Sequence, residues 1–271
     1  MWLRSDLKSS AKKFLSKNYI KAFFVSLLIM IVGGSGGSGV SNSSWKEERN
    51  AVLDVDFSNM SEMGRTVNDV VPFGFIFGLS FIIIAVLIIG SLAFRIFLGY
   101  PLEVGGRKFF VRGAEGEVEF SNITSTFNGD HYFKIVMAML YKGFINFLFY
   151  LLLFIPGVVK SYAYSMVPYI LTDNPEIGHG RALELSNEMT KGHKWEMFVL
   201  DLSFIGWYIL GALAFGIGTL FVNPYVDSTK AELYLTLRKI AVGVHICSSE
   251  ELNLDVLEVE EVDEDWYRYE S

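Results

Sequence analysis

Few residues of this sequence have the types and spacing that catalysis or metal binding requires. The four histidines, His131, His179, His193 and His245, are far apart and match no H-E-x-x-H motif. Cys247 is the single cysteine, which excludes an intramolecular disulfide and a thiolate metal cluster. A catalytic nucleophile needs a neighbouring base, and no such pair stands out. The sequence therefore predicts a protein that is not an enzyme and uses no metal or cofactor.

One set of polar residues stands inside apolar sequence. Lys142 and Asn146, one helical turn apart, fall in the stretch 132–154, and Asp201 lies a few residues into another apolar stretch. A charge in the hydrocarbon core costs at least about 2.5–3.5 kcal/mol unless it is paired or hydrated. We therefore expect Lys142 and Asp201 to form an intramembrane ion pair near Asn146. Functionally this would be a gate or a polar path; the alternative is a structural pin, or a lysine that snorkels to the interface.

Four residues predict interruptions of apolar helices. Pro156 and Gly157 are expected to split the apolar region 132–171, which is too long for one crossing. Pro168 and Pro224 each stand before a tyrosine and interrupt two returning helices at similar positions. Discontinuous helices in related halves mark the binding sites of some transporters. The alternative is a pair of kinks that close the helix packing.

Apolar helices must position these residues. The chain of 271 residues is 51% hydrophobic, and runs of 25 residues without a charge lie between Asp69 and Arg95 and between Asp201 and Asp227. A helix needs about 20 apolar residues to cross the hydrocarbon core. The sequence thus predicts an all-α polytopic membrane protein.

The predicted organisation has three parts. An amphipathic helix covers 1–21, a transmembrane domain covers 22–240, and an acidic cytosolic tail covers 241–271. About six crossings form three hairpins, with a polar external loop at 41–69 and a cytosolic linker at 95–131. The expected crossings are 22–40, 70–94, 132–154, 158–171, 197–213 and 219–240. Short helices are expected near Ser121 to Phe127 and, on the cytoplasmic surface, at Gly180 to Lys191.

Two details of this organisation stay open. The segment 156–172 either crosses the membrane as a short, tilted helix or forms the end of one kinked helix. The string G-G-S-G-G-S-G at Gly33 to Gly39 either permits close helix packing or is a linker.

Charge distribution predicts the orientation. Residues 1–21 carry six basic side chains against one acid, and the other segments predicted inside together carry eleven lysines and arginines against four in those predicted outside. This asymmetry places both termini in the cytoplasm of a bacterial cell with the chain in the cytoplasmic membrane. Trp2, Lys12, Lys13 and Trp195 are expected to anchor surface helices to the bilayer and its anionic lipid, rather than to nucleic acid. The alternative for the N-terminal helix is packing on the protein's own inner face.

The second half of the chain carries strings that resemble a known family. These are I-P-G-V-V-K-S-Y-A-Y-S-M-V-P-Y-I-L-T-D-N-P from Ile155, A-L-E-L-S-N-E-M-T-K-G-H-K from Ala182, and L-S-F-I-G-W from Leu202. They resemble the bacterial integral-membrane family listed as domain of unknown function 975, which looks distantly similar to the membrane portion of some glycerophosphodiester phosphodiesterases. The resemblance implies a helical hairpin fold and brings no activity, because the catalytic barrel of those enzymes is a separate domain absent here.

Two functions follow as expectations, with an enzyme as a distant third. The first is a scaffold or accessory subunit that binds a protein partner through the acidic tail, where residues 250–271 carry ten acids against Arg268. The second is a small-molecule or lipid transporter with a polar intramembrane path. For the tail itself, the alternative is a solvated segment without a partner.

Overall fold

The computed structural model describes residues 2–33, 73–127, 129–213 and 218–254, and within these ranges it contains helices and no strand. The predicted all-α class is confirmed. The chain divides into two compact units, residues 37–94 and the remainder. In the unit 37–94, the described residues form helix α2 (Phe73–Phe94), whose side chains from Gly78 onward are apolar and mostly exposed.

The larger unit holds the other helices. They are α1 (Arg4–Ile31), α3 (Tyr100–Glu115), α4 (Ser121–Thr124), α5 (Gly129–Leu152), α6 (Phe154–Ala163), α7 (Val167–Asp173), α8 (His179–Met189), α9 (Lys194–Leu202), α10 (Ile205–Leu213) and α11 (Gly218–Gly243). A π-helical turn at Arg95–Gly99 leads into α3. Helices α1, α3 and α11 pack on one another, and α7 packs on α3. Buried apolar residues of these four helices form a core together with residues of α5, α8 and α9.

Four described helical stretches are long and apolar enough to cross a membrane. They are Arg4–Ile31, Gly78–Glu115, His131–Leu152 and Lys194–Leu213. They overlap the first, second, third and fifth of the six expected crossings and support a membrane protein. The expected crossing 158–171 is divided between α6 and α7, and neither of these helices is long enough to span a membrane alone. The expected crossing 219–240 lies in α11, which carries four charged residues between 227 and 238.

Helix α1 contains both the predicted amphipathic helix and the first part of the first predicted crossing. Asn18 has a non-helical backbone (φ −126°, ψ 18°), so a kink divides α1 close to the predicted end of the amphipathic helix. Before the kink, Leu7, Ala11 and Leu15 are buried at intervals of four residues. They lie on the apolar face that the sequence predicted, and that face packs on the protein itself.

The segment predicted as a linker at 95–131 contains α3, and ten of the sixteen residues of α3 are buried. Its glycines are packing positions. A Cβ on Gly105 would lie 2.3 Å from the carbonyl oxygen of Ile123, and one on Gly106 would lie 2.5 Å from the Ile29 side chain. The linker prediction is wrong because these glycines, which suggested flexibility, allow other elements to approach the α3 backbone.

The break predicted at Pro156 and Gly157 is present, but it lies slightly earlier. Leu153 has an extended backbone (φ −159°, ψ 138°) and separates α5 from α6. Pro156 falls in the first turn of α6, where a helix accommodates proline. Gly157 lets α6 pack back on α5, because a Cβ there would lie 2.5 Å from the Tyr150 ring.

Both predicted short helices are present. α4 and the 3-10 turn Ser125–Phe127 occupy the first position. α8 occupies the second, with Ala182, Leu185 and Met189 buried.

Several predictions concern residues outside the described ranges. They are the glycine string beyond Gly33, the polar loop 41–69 and the acidic tail from 255 onward.

Gly105→Ala tests whether α3 is a tightly packed core helix. The new methyl group would meet the Ile123 backbone, so we expect the free energy of unfolding to fall by about 1–3 kcal/mol. Gly180→Ala is the control, since a Cβ there meets nothing within 4 Å; we expect it to leave stability unchanged or raise it by about 0.5–1 kcal/mol. Thermal unfolding in detergent, followed by tryptophan fluorescence, measures both. Equal melting temperatures for the two variants would contradict the assignment.

Candidate functional site

A buried ion pair joins three helices of the larger unit. Arg107 Nη1 on α3 lies 2.6 Å from Asp227 Oδ1 on α11, and Ser26 Oγ on α1 donates a hydrogen bond of 2.6 Å to the other oxygen of Asp227. The guanidinium carbon of Arg107 lies 5.4 Å from the centre of the Tyr169 ring on α7. With Glu103, one turn before Arg107 on α3, these residues form what we call the Arg107 cluster. All five are buried.

The packing of α3 explains how Arg107 reaches this position. Gly106 lies against Val25 and Ile29 of α1, which brings the α3 backbone close to that helix. Glu103 and Arg107 are four residues apart, so both project from the same side of α3. The charge of Glu103 acts on Lys142 of α5 as well as on Arg107 and Asp227. The cluster therefore gathers groups from α1, α3, α7 and α11, with α5 alongside.

The cluster lies level with the apolar outer surface of the helices. Phe24 and Ile31, on either side of Ser26 in α1, are exposed. Phe144 and Phe147, one turn beyond Lys142 in α5, are also exposed. Lipid tails are the natural cover for such side chains. The charges of the cluster consequently lie inside the protein at the height of its apolar band.

A second buried network follows toward the end of α11. Arg238 Nη1 lies 3.0 Å from Asp173 Oδ2 at the end of α7, and its other terminal nitrogen pairs with Glu115 of α3. The Tyr234 hydroxyl donates to the same Asp173 oxygen. The network ties α3, α7 and α11 together a few turns from the Arg107 cluster.

The predicted ion pair between Lys142 and Asp201 is wrong, because Asp201 pairs with a different lysine. Asp201 Oδ1 lies 3.2 Å from Lys230 Nζ on α11, and Asp201 Oδ2 accepts a hydrogen bond of 3.1 Å from the Tyr162 hydroxyl. Among the described residues, no ion pair joins Lys142 to Asp201. Glu103 is instead the carboxylate that acts most strongly on Lys142. The Asn146 side-chain oxygen is buried and has no hydrogen-bond donor in the described part of the chain.

The two other candidate prolines occupy different positions in their helices. Pro168 stands in the first turn of α7, after the break between Ala163 and Val167, so it begins a helix instead of kinking one. Pro224 lies inside α11, which continues through it. The predicted interruption at Pro168 is therefore present as a helix start, and the one at Pro224 does not end its helix.

The candidate membrane anchors differ in exposure. Trp2 is only 6% exposed, and its ring centre lies 6.4 Å from that of His193. It packs inside the protein, so the prediction of a membrane anchor is wrong for Trp2. Trp195 is 71% exposed, and Lys12 and Lys13 are exposed as well. These three remain available to a membrane surface.

Residues 244–254, at the start of the predicted tail, dock on the rest of the larger unit. Arg181 of α8 donates to Glu251 Oε1 at 2.6 Å and to the Ile246 carbonyl oxygen at 3.1 Å. Asn174 donates to the Glu251 carbonyl oxygen at 3.0 Å. Cys247, within this segment, is buried, and burial raises the pKa of its thiol to about 11.

Residues 150–241 match the model of a family described as "Protein of unknown function (DUF975)". The match covers the last three residues of α5 and the helices that follow, to near the end of α11, and it supports the resemblance seen in the sequence. No curated protein and no solved structure matches the chain.

Most of the Arg107 cluster was not predicted from the sequence. Glu103 and Arg107 stand in a glycine-rich stretch without a long apolar run, which made them look like linker residues. Their spacing of four residues, with Val104 and Val111 on the same side, is the signal that could have indicated a buried helix face. Asp227 and Tyr169 carry no comparable signal, since only the packing of α7 and α11 brings them to Arg107.

A double-mutant cycle tests the Arg107–Asp227 pair. Arg107→Met leaves the Asp227 carboxylate without this cation, and we expect a loss of about 3–5 kcal/mol in the free energy of unfolding. Adding Asp227→Leu should recover most of that loss, because the uncompensated buried charge is removed. Lys134→Met, which breaks a half-exposed pair with Glu176, should cost no more than about 1 kcal/mol. Thermal unfolding in detergent gives each value. A double variant as unstable as the sum of the single variants would rule out coupling.

Cys247 reports on the docking of residues 244–254. The thiol is buried and protonated at neutral pH, so a maleimide should label the folded protein slowly. Arg181→Ala removes the contacts to Glu251 and Ile246, and we expect labelling to become several-fold faster. Lys191→Ala, at an exposed position on the same surface, serves as the control. Mass spectrometry follows the reaction, and identical rates in all three proteins would contradict the docked arrangement.

Proposed function

We propose that this chain is an integral membrane protein that moves a small polar solute or ion across the bilayer through its polar interior. The observation that carries the proposal is the Arg107 cluster, which holds buried charges at the height of the apolar outer surface. Ionisable groups inside a membrane protein commonly mark the path of a solute, an ion or a proton.

Energetics supports a functional use of these charges. Burying an ion pair such as Arg107 with Asp227 costs several kcal/mol of desolvation per ion, and its mutual attraction often does little more than offset that cost. Apolar side chains of similar volume would hold α1, α3 and α11 together at least as well. A role beyond helix packing therefore accounts best for a charged interior.

Helix breaks next to Asp201, which pairs with Lys230, give further support. The break between α6 and α7 leaves buried backbone groups outside the helical hydrogen bonding, and the side chain of Ser186 bonds two of them, accepting from Met166 N–H and donating to the Ala163 carbonyl oxygen. Tyr162, just before the break, reaches Asp201. The break between α9 and α10 follows directly after Asp201 and Leu202. Discontinuous helices line the substrate sites of several transporter classes.

The proposed topology has six crossings, with both termini in the cytoplasm of a bacterial cell. Lysine and arginine are concentrated in the segments assigned to the inside, which supports this orientation. The distant resemblance to the membrane portion of glycerophosphodiester phosphodiesterases stays a prediction, and it keeps lipid among the candidate solutes.

A scaffold or accessory subunit is the second proposal. The charge of the tail favours it, because residues 250–271 carry ten acids and could hold a basic partner. Deleting 255–271 keeps Glu251 on Arg181 and removes most of the acids. If a partner that co-purifies with the full chain is lost on this deletion, and no flux is found, the scaffold proposal is favoured.

Reconstitution into liposomes tests the transport proposal. Vesicles would contain pyranine to report protons, or fluorescent reporters of potassium or chloride, and a parallel set would carry a dithionite-sensitive labelled lipid to report scrambling. We expect the protein to accelerate at least one of these fluxes over empty vesicles. Lys142→Met should reduce it several-fold, because Lys142 borders the Arg107 cluster.

Lys134→Met is the matched control on α5, since Lys134 is half-exposed and pairs with Glu176 away from the cluster. It should retain the flux of the unmodified protein. Equal fluxes in protein-containing and empty vesicles for all four reporters would overturn the transport proposal.

A further inference from the structure

Glu103 is a buried carboxylate without a direct partner. It is 6% exposed, and it makes no hydrogen bond or ion pair with another described residue. Buried carboxylates are costly in the charged form unless they are paired or hydrated. Either a proton or water must therefore compensate the Glu103 carboxylate.

The Tyr169 hydroxyl, on which the charge of Glu103 acts, also lacks a hydrogen-bond partner among the described residues. Tyr169 is 3% exposed, and its hydroxyl oxygen has no hydrogen-bond partner in the described part of the chain. The charges of Arg107, Asp227 and Glu103 all act on this hydroxyl. A buried hydroxyl without a partner from the protein is usually hydrogen-bonded to water.

Helices from several directions surround Glu103. Arg107 on its own helix, Arg95 in the preceding turn, Lys142 of α5 and Asp227 of α11 are the charged groups that act on it. Tyr169 of α7 and Tyr100 are the other titratable groups that its charge affects.

The approach of α5 to α3 at this point is close. A Cβ placed on Gly143 would lie 3.3 Å from the Tyr100 hydroxyl oxygen. Lys142 is the residue before Gly143, and it makes no hydrogen bond or ion pair with another described residue. It is therefore a second ionisable side chain, next to Glu103, that lacks a fixed partner.

We infer that Glu103 is a proton-binding site of the polar interior, connected through water with the Tyr169 hydroxyl and the Lys142 ammonium group. This inference rests on the proposed transport function and names the proton as an ion that the site binds. In the exchange, an O–H bond forms on Glu103 while an N–H bond of Lys142, or an O–H bond of hydronium, breaks. With Lys142 as donor, both side chains become neutral and the total charge is unchanged.

A proton fits this place better than a metal cation. Three cationic side chains, Arg95, Arg107 and Lys142, act on Glu103, against one further carboxylate, Asp227. A divalent metal ion would add two positive charges to this environment and would find few oxygen ligands. A proton adds one positive charge and needs no ligand besides the carboxylate itself.

Difference infrared spectroscopy of the protein in lipid tests the proposal. Lowering the pH should produce the carbonyl stretching band of a protonated carboxyl in a non-aqueous environment, and D2O should shift that band. Glu103→Gln should abolish it. Glu117→Gln, which changes an exposed side chain just after α3, should keep it. Lys142→Met should displace the pH at which the band appears, because it removes a charge that acts on Glu103.

Each outcome separates this inference from the transport proposal. A band that persists in Glu103→Gln, or no such band while the protein remains folded, overturns the proton site, whatever the liposome assays give. A band that is lost in Glu103→Gln from a protein without flux supports the site and rejects transport. Should Glu103→Gln fail to fold, Glu103→Asp supplies the test, because the shorter acid should retain a band at a displaced pH.

Discussion

The ion pair between Arg107 and Asp227 fixes how three helices of the larger unit meet. Arg107 comes from α3 and Asp227 from α11, while Ser26 of α1 holds the second oxygen of the same carboxylate. A buried carboxylate with both oxygens bonded leaves little freedom in the register of these helices, since a shift of one residue would leave a charge unpaired. The tyrosine ring beneath the guanidinium group adds α7 to this arrangement.

Small residues make the pair possible. Side chains larger than hydrogen at Gly105 and Gly106 would overlap Ile123 and Ile29. Their absence lets α3 lie against α4 and α1, while the next residue, Arg107, pairs with Asp227 of α11. Close backbone approach through glycine is also how helices associate in membranes, where hydrophobic attraction between helices is weak. One stretch of α3 thus supplies both the glycines that allow close packing and the arginine of the ion pair.

Three buried or partly buried charges follow one another along α11, and each has its own partners. Asp227 belongs to the Arg107 cluster, Lys230 pairs with Asp201, and Arg238 joins Asp173 to Glu115. Each of these charges is matched by a charge from another helix, so α11 can be buried although it is too polar to resemble a spanning helix. Where the matching stops, at Glu103 and Lys142, the structure offers ionisable groups without fixed partners. This difference separates the part of the interior that holds the fold from the part proposed to exchange protons.

The sequence by itself determined the helical class, the long apolar stretches, the inward faces of α1 and α8, and the break near Pro156. Each follows from composition or periodicity within one segment, which local physics controls. Tertiary structure alone decided that α3 is a core helix, that Trp2 is buried, and that Asp201 binds Lys230 instead of Lys142. Those outcomes depend on which faces meet, and the energy of a buried charge depends on partners that are distant in the sequence: Arg107 and Asp227 are 120 residues apart. Periodicity identified Lys142 as a charge in need of compensation, but only the packing of α3 against α5 placed Glu103 beside it.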